Sequence, residues 1–548
     1  MSDHRDNPRR RFIKQSGALT GATLTGLSGI LAAARAPAVI AADSLRPDPQ
    51  WGIQIGDVVG DRAIVWSRSD KPARMFVEWS LSDSFADGVV VRGPLALPDV
   101  GDLTSRVDLT GLPADQEVFV RVLYEALDGG KARSAPLLGQ FRTAPRKRRD
   151  VRFLWSGDTA GQGWGINPDI GGMRCYKSMT KTRADFFIHS GDNIYADGTM
   201  LPEVTDAAGN VVWRNAFLDQ VPEKLNVAQT LHQFHRAYLY NRYDDNIREF
   251  TANIPQLWQW DDHEVVNNWS DSKVLDSRYS EPGMNVQLLA GRAVKAFLDY
   301  APMRWHDQSE SERIYRHVPY GRDLDVFVVD MRSYRGPNSA NLQTQAGPDT
   351  AFMGPVQVEW LKQQLQSSRA TWKVIAADMP IGLNVGDGTD AQGRDQWEAI
   401  ANNNGDGALG RELEIADLLR FMKRNGICNV VWLTADVHYC AAHYYDPNKA
   451  KFQDFDPFWE FVAGPLNAGT FGPNSTDPTF GPQVVFQKAP PAGQANLPPS
   501  AGLQFFGQVD IDSRSKDMVV ALKDIDGKEV FSKRLHAKPC AGWGKDDD

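Results

Sequence analysis

From Val151 onward the chain repeats one local pattern six times, a short apolar run that ends on an aspartate. The runs are "VRFLWSGD", "ADFFIHSGD", "IPQLWQWDDHE", "DVFVVDMRS", "TWKVIAADMP" and "NVVWLTADVH". Each has the length and the β-branched, aromatic content of a buried strand. Helical patterns lie between several of them, such as "PVQVEWLKQQLQSS" and "ELEIADLLRFMKRNG". The second stops at Asn425-Gly426, a helix-ending pair. Strands alternating with helices predict an α/β domain. In such domains ligands sit at the carboxyl ends of the strands, so the six aspartates are expected to converge on one edge.

A single aspartate in that place says little, because Asp also caps helices. Several on one edge repel one another unless cations neutralise them. In "IHSGDNIYADG" (188–198) a tyrosine, Tyr195, follows Asp192 by three positions. One short turn then lets both side chains reach the same ion. Asp, Tyr and His gathered together imply a metal.

The remainder frames this region. The chain has 548 residues, 42% hydrophobic, with a net charge of -9. That is ordinary globular composition for two or three domains, without the basic surface of a nucleic-acid binder. Short alternating segments such as "RAIVWSRS", "RMFVEWSL" and "VFVRVLYEAL" precede the α/β region and predict an antiparallel β-sandwich over 43–145. The basic linker "RTAPRKRRD" (142–150) separates it from the second domain, 150–548. A closing meander, "LQFFGQVDIDS" and "DMVVALKDIDGKEVFSKRL", turns at Asp526-Gly527 and is expected to pair into a second sheet. Of four cysteines none has metal-site spacing, and Cys428 and Cys440 read as buried apolar fillers.

Residues 1–42 read as a signal peptide, with a basic start, a mild apolar run and small residues before Ala41 and Ala42. The run from Gly17 to Leu31 is too short and too rich in Gly and Thr for a membrane span. Arg9-Arg10-Arg11-Phe12-Ile13-Lys14 resembles the twin-arginine export motif, with Pro8 where Ser or Thr is usual. A general secretory signal is the other reading. The twin-arginine machinery is thus an expected partner. The mature protein is expected to be periplasmic or extracellular, with no transmembrane anchor.

Four stretches together resemble the PhoD-like alkaline phosphatases, metallophosphoesterases related to the purple acid phosphatases. They are "GDNIY", "WDDHEVVNNW" (260–269), "VVDMRSYR" (328–335) and "ADVHYCAAHYY" (435–445). The resemblance covers nearly the whole mature chain. It implies a two-sheet sandwich flanked by helices, preceded by a small immunoglobulin- or fibronectin-like domain. It also implies the site roles. Asp192 would bridge two metals, Tyr195 and His438 would bind the first, and Asp262 and Asp436 the second. His263 would face the phosphate. Asp378 stands where purple acid phosphatases carry a metal-binding histidine. The family's first strand ends on a cysteine ligand, and here Asp158 takes that place.

The ligand types select the ions. A phenolate with an ordinary pKa of about 10 favours a highly charged cation, Fe³⁺. An all-oxygen set of Asp192, Asp262, Asp378 and Asp436 suits Ca²⁺, with Mg²⁺, Mn²⁺ or Zn²⁺ as alternatives. Five aspartates and one phenolate carry six negative charges against five positive on Fe³⁺ and Ca²⁺. Metals about 3.5–4 Å apart would clamp a phosphate ester. His263 would steady charge or protonate the leaving oxygen, beside a hydrogen-bonding neighbour such as Glu264.

Several residues keep two readings. Arg332 and Arg335 bind phosphate or pair with Asp330. Asn267 and Asn268 touch substrate or cap a turn. His189 reads as a packed core histidine, and His443 as a surface or pocket-supporting one. The function expected is an exported phosphatase for monoesters, diesters or both. One alternative is a phosphodiesterase directed at phospholipids or wall polymers. Another is a glycan-binding or adhesion protein with an inert second domain, which six mutually repelling anions argue against.

Overall fold

The computed structural model describes residues 45–128, 131–206 and 208–539, so the expected signal segment lies outside the described residues. Seven strands come first: β1 (Ile53–Val59), β2 (Arg62–Arg68), β3 (Ala73–Ser80), β4 (Val89–Ala96), β5 (Thr104–Leu109), β6 (Glu117–Ala126) and β7 (Leu137–Arg142). They form two antiparallel sheets, β1-β2-β5 and β4-β3-β6-β7. Ile53, Val65, Met75, Val77, Val120 and Val122 fill the space between them. In β3 and β6 burial alternates residue by residue, the period-2 pattern of a half-covered sheet.

The sandwich is not a bead on a linker. β1 pairs in parallel with β12 (Gln256–Gln259) at Gly56 and Gln256, and so joins the sheet of the α/β region. Glycine permits this approach. A Cβ on Gly56 would stand 2.1 Å from the carbonyl oxygen of Pro302 and 2.8 Å from that of Gln256.

The α/β region has two sheets face to face. In the first, β8 (Val151–Ser156), β9 (Phe186–Ser190) and β12 run parallel. In the second, β14 (Leu324–Val328), β15 (Trp372–Ala376), β18 (Val430–Thr434) and β20 (Phe458–Val462) run parallel. The closing strands β22 (Phe505–Ile511), β23 (Met518–Asp524) and β24 (Glu529–Leu535) do not build a second sheet. β22 pairs antiparallel with β8, and the meander extends the first sheet to nine strands.

Phe153, Trp155, Phe186 and Ile188 on one sheet meet Val326, Val374, Val431 and Leu433 on the other. Each such side chain contributes about 1.5–3 kcal/mol of burial. Helices Arg174–Thr180 and Asp245–Asn253 cover the outer face of the first sheet through Met179 and Phe250. Helices Pro355–Ser367 and Glu412–Arg424 cover the second through Leu361, Leu365, Ile415 and Leu419. With both faces buried, the parallel strands read as continuous apolar runs. The last helix stops at Asn425, where Gly426 turns out with φ +62°. Cys175 and Cys440 are buried free thiols, whereas Cys428 is half-buried and disulfide-bonded rather than a filler.

Candidate metal centre

All six aspartate-ending runs form strands, three in each sheet, and each sheet's three run parallel to one another. The chain then turns sharply. Asp158, Asp192, Asp436 and His438 have φ of +67°, +52°, +63° and +62°. Non-glycine residues seldom adopt this left-handed region, which costs of order 1–3 kcal/mol each and is concentrated at functional sites. Gly191 makes one turn possible: with φ +94°, its Cβ position lies 2.4 Å from Cβ of Asp261.

Three groups of ligand-type atoms result, each within 4.8 Å of one another: Asp158, Asp192 and His438; Asp192, Asp262 and His263; Asp261, Asp262 and Asp436. Asp192 is common to the first two and Asp262 to the last two. Tyr195 joins the first group, its hydroxyl 2.9 Å from Nε2 of His438. His438 donates from Nδ1 to the carbonyl of Gly469, which leaves Nε2 facing the group. Burial lowers the His438 pKa to about 4, so the ring is neutral. Burial raises the carboxyls of Asp158 and Asp192 well above the ordinary range, and the neighbouring carboxylates add to it.

His263 lies between the groups. Its backbone N–H donates to Asp192 Oδ1 at 3.2 Å. Its Nδ1 lies 2.7 Å from Oδ1 of Asp197, and its Nε2 lies 3.9 Å from Oδ1 of Asp262. Burial alone would lower its pKa, but Asp197, Asp262 and Asp192 outweigh burial and hold it well above the ordinary value. Asp197, not Glu264, is therefore the partner of His263. Glu264 points beneath the turns instead. It accepts from the backbone N–H of Asp192 at 3.2 Å, of Asp261 at 2.8 Å and of Asn193, tying two strand ends together.

Other expected residues are placed differently. Asp378 belongs to none of the three groups, and its Oδ2 lies 3.3 Å from Nε of Arg332. Asp261 stands in the group with Asp262 and Asp436 instead; the doubled Asp of "WDDHE" was the available signal. The Arg332 side chain does not pair with Asp330. It forms ion pairs with Asp261 and Glu398, and its Nη2 lies 3.8 Å from Oδ1 of Asp436. Asp330 accepts from Trp260 Nε1 at 3.1 Å and from Ser333. Arg335 is buried and donates to Asn338 Oδ1 at 3.1 Å and to the Glu398 carbonyl. Asn268 gives its backbone N–H to Asp262 Oδ2, and its side chain donates to Asp387 Oδ1 at 2.8 Å. His189 is buried, 3.0 Å from the Thr159 hydroxyl. His443 is buried too, not on the surface, with Nδ1 3.0 Å from Glu460 Oε2. Glu398 and Asp197 had no motif to mark them.

The sequence matches the family model for PhoD-like phosphatase over residues 153–522. The chain belongs to the PhoD-like phosphatase family. Residues 33–145 match the model for that family's N-terminal domain. A curated relative, alkaline phosphatase D of Bacillus subtilis (strain 168), is 26% identical over 492 residues, spanning 85% of this chain and 77% of the relative. Among solved structures, one titled "Structure of PhoD" superposes with a TM-score of 0.62 at 19% identity, covering 90% of this chain and 93% of the other. A purple acid phosphatase from yellow lupin seeds superposes with a TM-score of 0.52 at 12% identity, over 90% and 74%. Members of the PhoD-like family are phosphoric ester hydrolases, and so is this chain.

Proposed function

We propose that the protein is an exported phosphatase that hydrolyses phosphate monoesters, diesters or both at a dinuclear metal centre. One observation carries the reading. Among the strand-end aspartates, six buried carboxylate oxygens have no hydrogen-bond partner: both of Asp158, Oδ2 of Asp192, Oδ2 of Asp261, Oδ1 of Asp262 and Oδ1 of Asp378. An uncompensated buried anion costs several kcal/mol, so the donor set fits cations. Asp158, Asp192, Tyr195 and His438 would hold Fe³⁺. Asp192, Asp262 and Asp436, completed by Asp378, would hold Ca²⁺, or Mg²⁺, Mn²⁺ or Zn²⁺ in its place. Two such ions supply Lewis acidity to a phosphoryl group and its leaving oxygen.

The chain's own residues do the rest. Asp197 fixes the His263 ring through Nδ1 and turns Nε2 toward Asp262. A proton held at Nε2 is then available to the leaving alkoxide, the role of a general acid. Arg332 offsets the charge of Asp261 and Asp378, and its Nη2 is without a hydrogen-bond partner. That nitrogen is the part of Arg332 left to meet a phosphate oxygen. Asn268 serves the ligand Asp262 through its backbone before it serves substrate.

Export rests on the Arg9-Arg10-Arg11 motif. Among the described residues no helix is long and apolar enough to cross a membrane. Replacing Arg9 and Arg10 together with Lys is expected to strand the precursor in the cytoplasm, read by fractionation. Elemental analysis of purified protein, combined with a panel of mono- and diesters, tests the whole reading. Iron with a second cation and hydrolysis of one ester class is the expected outcome. Protein free of metal, or inert toward both classes when metal-replete, would sink it.

A further inference from the structure

A second pair of buried acids lies outside the strand-end aspartates. Glu412 opens the helix Glu412–Arg424, and Asp477 sits in the segment after β20. Each is 1% exposed. Their carboxyls meet: burial, then the negative charge of Asp477, raises the Glu412 pKa to about 9. One oxygen of each is served. Glu412 Oε2 accepts from Asn402 Nδ2 at 3.0 Å and from the Leu409 N–H at 3.1 Å. Asp477 Oδ1 accepts from the Thr479 N–H at 2.7 Å. The other oxygens, Glu412 Oε1 and Asp477 Oδ2, are buried with no donor in hydrogen-bond geometry, and the Thr479 hydroxyl and the Asp477 carboxyl lie within reach of Glu412.

No Lys, Arg or His forms an ion pair with either acid among the described residues. The adjacent Arg411 is turned away, donating to the carbonyls of Trp397, Glu398, Gly336 and Pro337. The helix N-terminus offsets part of the Glu412 charge, but it leaves Oε1 unmet. The loop facing the pair is "NNNGDGALG" (402–410). Asn402 Oδ1 accepts from the Asn404 N–H at 2.9 Å, and Asn404 and Asp406 are exposed, so the loop offers the pair backbone carbonyls rather than side-chain oxygens. The Thr479 hydroxyl donates to the Gly407 carbonyl at 3.5 Å, which puts loop carbonyls beside the acids.

We propose that Glu412 and Asp477 anchor a divalent-cation site, for Ca²⁺ by preference, that fastens the 402–410 loop to the 477–479 segment. The free oxygens Glu412 Oε1 and Asp477 Oδ2 are its anionic ligands, with the Thr479 hydroxyl and loop carbonyls completing an all-oxygen shell. Calcium takes six to eight such oxygens in flexible geometry, which suits a loop of carbonyl donors. The site stabilises the fold and takes no part in the chemistry.

The test uses the full-length protein, with wild type and variants loaded with metal and titrated identically. Calcium is counted by elemental analysis, and Tm is followed as free Ca²⁺ rises from chelator-buffered zero to about 1 mM. Wild type is expected to hold one more Ca²⁺ than Glu412→Gln or Asp477→Asn. Its Tm is also expected to rise on Ca²⁺ addition by about 2–5 °C more than that of either variant, and both variants keep wild-type turnover once Ca²⁺ is restored. Asp436→Asn should retain this ion while losing a catalytic one, so failure here is distinct from failure of the catalytic reading. A shared proton between the acids predicts the opposite, because the Gln amide can donate to Asp477 in the proton's place. A Glu412→Gln protein with the wild-type calcium count and Tm response overturns the site. So does a wild-type crystal soaked in Mn²⁺ with no anomalous peak between Glu412 and Asp477, whatever the variants do.

Discussion

The two halves of the strand-end cluster carry the same kind of ligand and balance its charge differently. In one half, Asp158 and Asp192 meet Tyr195 and a neutral His438, and among the described residues no Lys or Arg pairs with either acid. In the other half, Arg332 is set among Asp261, Asp378, Asp436 and Glu398. Identical strand endings therefore yield two electrostatic environments. The first half has no guanidinium of its own, which suits the highly charged ion proposed for it. The second already contains a guanidinium, so a divalent ion suffices. The proposed order, Fe³⁺ then Ca²⁺, accords with where the arginine is, as well as with where the tyrosine is.

His263 lies between the halves, and its removal carries the largest expected effect. His263→Ala should lower turnover by about 10²–10⁴-fold while both ions stay bound, as for a general acid. Metal content and kcat measured on one preparation decide it. If the ions leave with the ring, His263 is a ligand and the two halves are one merged centre.

Arg332→Met tests the internal guanidinium. Breaking a buried ion pair on one side costs about 3–5 kcal/mol, because the partners stay behind as uncompensated charge. The loss is read by urea denaturation. A cost below about 1 kcal/mol, the scale of a surface pair, would erase the contrast between the halves.

The sequence-level reading captured what local pattern dictates. Period and composition set the six strands, and the strand ends set the edge on which Asp158, Asp192, Asp262 and Asp436 gather. Pairings between distant segments were out of reach. The partner of His263 is Asp197, visible in "YADG", but its direction depends on the turn after Tyr195. Glu398 reaches Arg332 from 66 residues away, out of a loop without periodicity. Asp378 has the right strand ending and yet leans on that same arginine. The sheet shared by β1 and β12 rests on one close approach at Gly56, which no alternation pattern announces.

A pH series on chelated protein sharpens the contrast at a smaller scale. Burial is the main cause that raises the carboxyls of Asp158, Asp192 and Asp436, the last to about 8. An acid whose pKa is higher folded than unfolded contributes stability at low pH and loses it as pH rises through the folded value. The chelated protein should therefore weaken from the ordinary carboxylate range up to about pH 8, and the metal-loaded protein should not. Within that window Asp158→Asn should stabilise the chelated protein by about 1–3 kcal/mol, since it removes an unpaired buried charge. Asp261→Asn should not, because it leaves Arg332 short of a partner. Denaturation midpoints with and without chelator give the answer, and equal responses of the two variants would void the distinction.

The smallest change in stability belongs to Tyr195→Phe, which separates the phenol oxygen from the ring. The ring is wedged in place: a Cβ on Gly161 would stand 2.4 Å from its edge, and its centroid lies 4.3 Å from that of His263. Phenylalanine keeps those contacts. The hydroxyl is 2.9 Å from His438 Nε2, and a lost neutral hydrogen bond costs about 0.5–1.5 kcal/mol. In the chelated protein the variant should sit within that margin of wild type. With iron bound, the two should differ in kind. A phenolate on Fe³⁺ gives a visible charge-transfer band, so wild type is expected to be violet to reddish and the Phe variant to lack the band. Spectra and iron content of the two proteins, purified identically, decide between the environments drawn here. An iron-bearing Phe variant that keeps its colour would place the chromophore on another group. The first half would then owe its preference for a highly charged ion to its missing arginine alone.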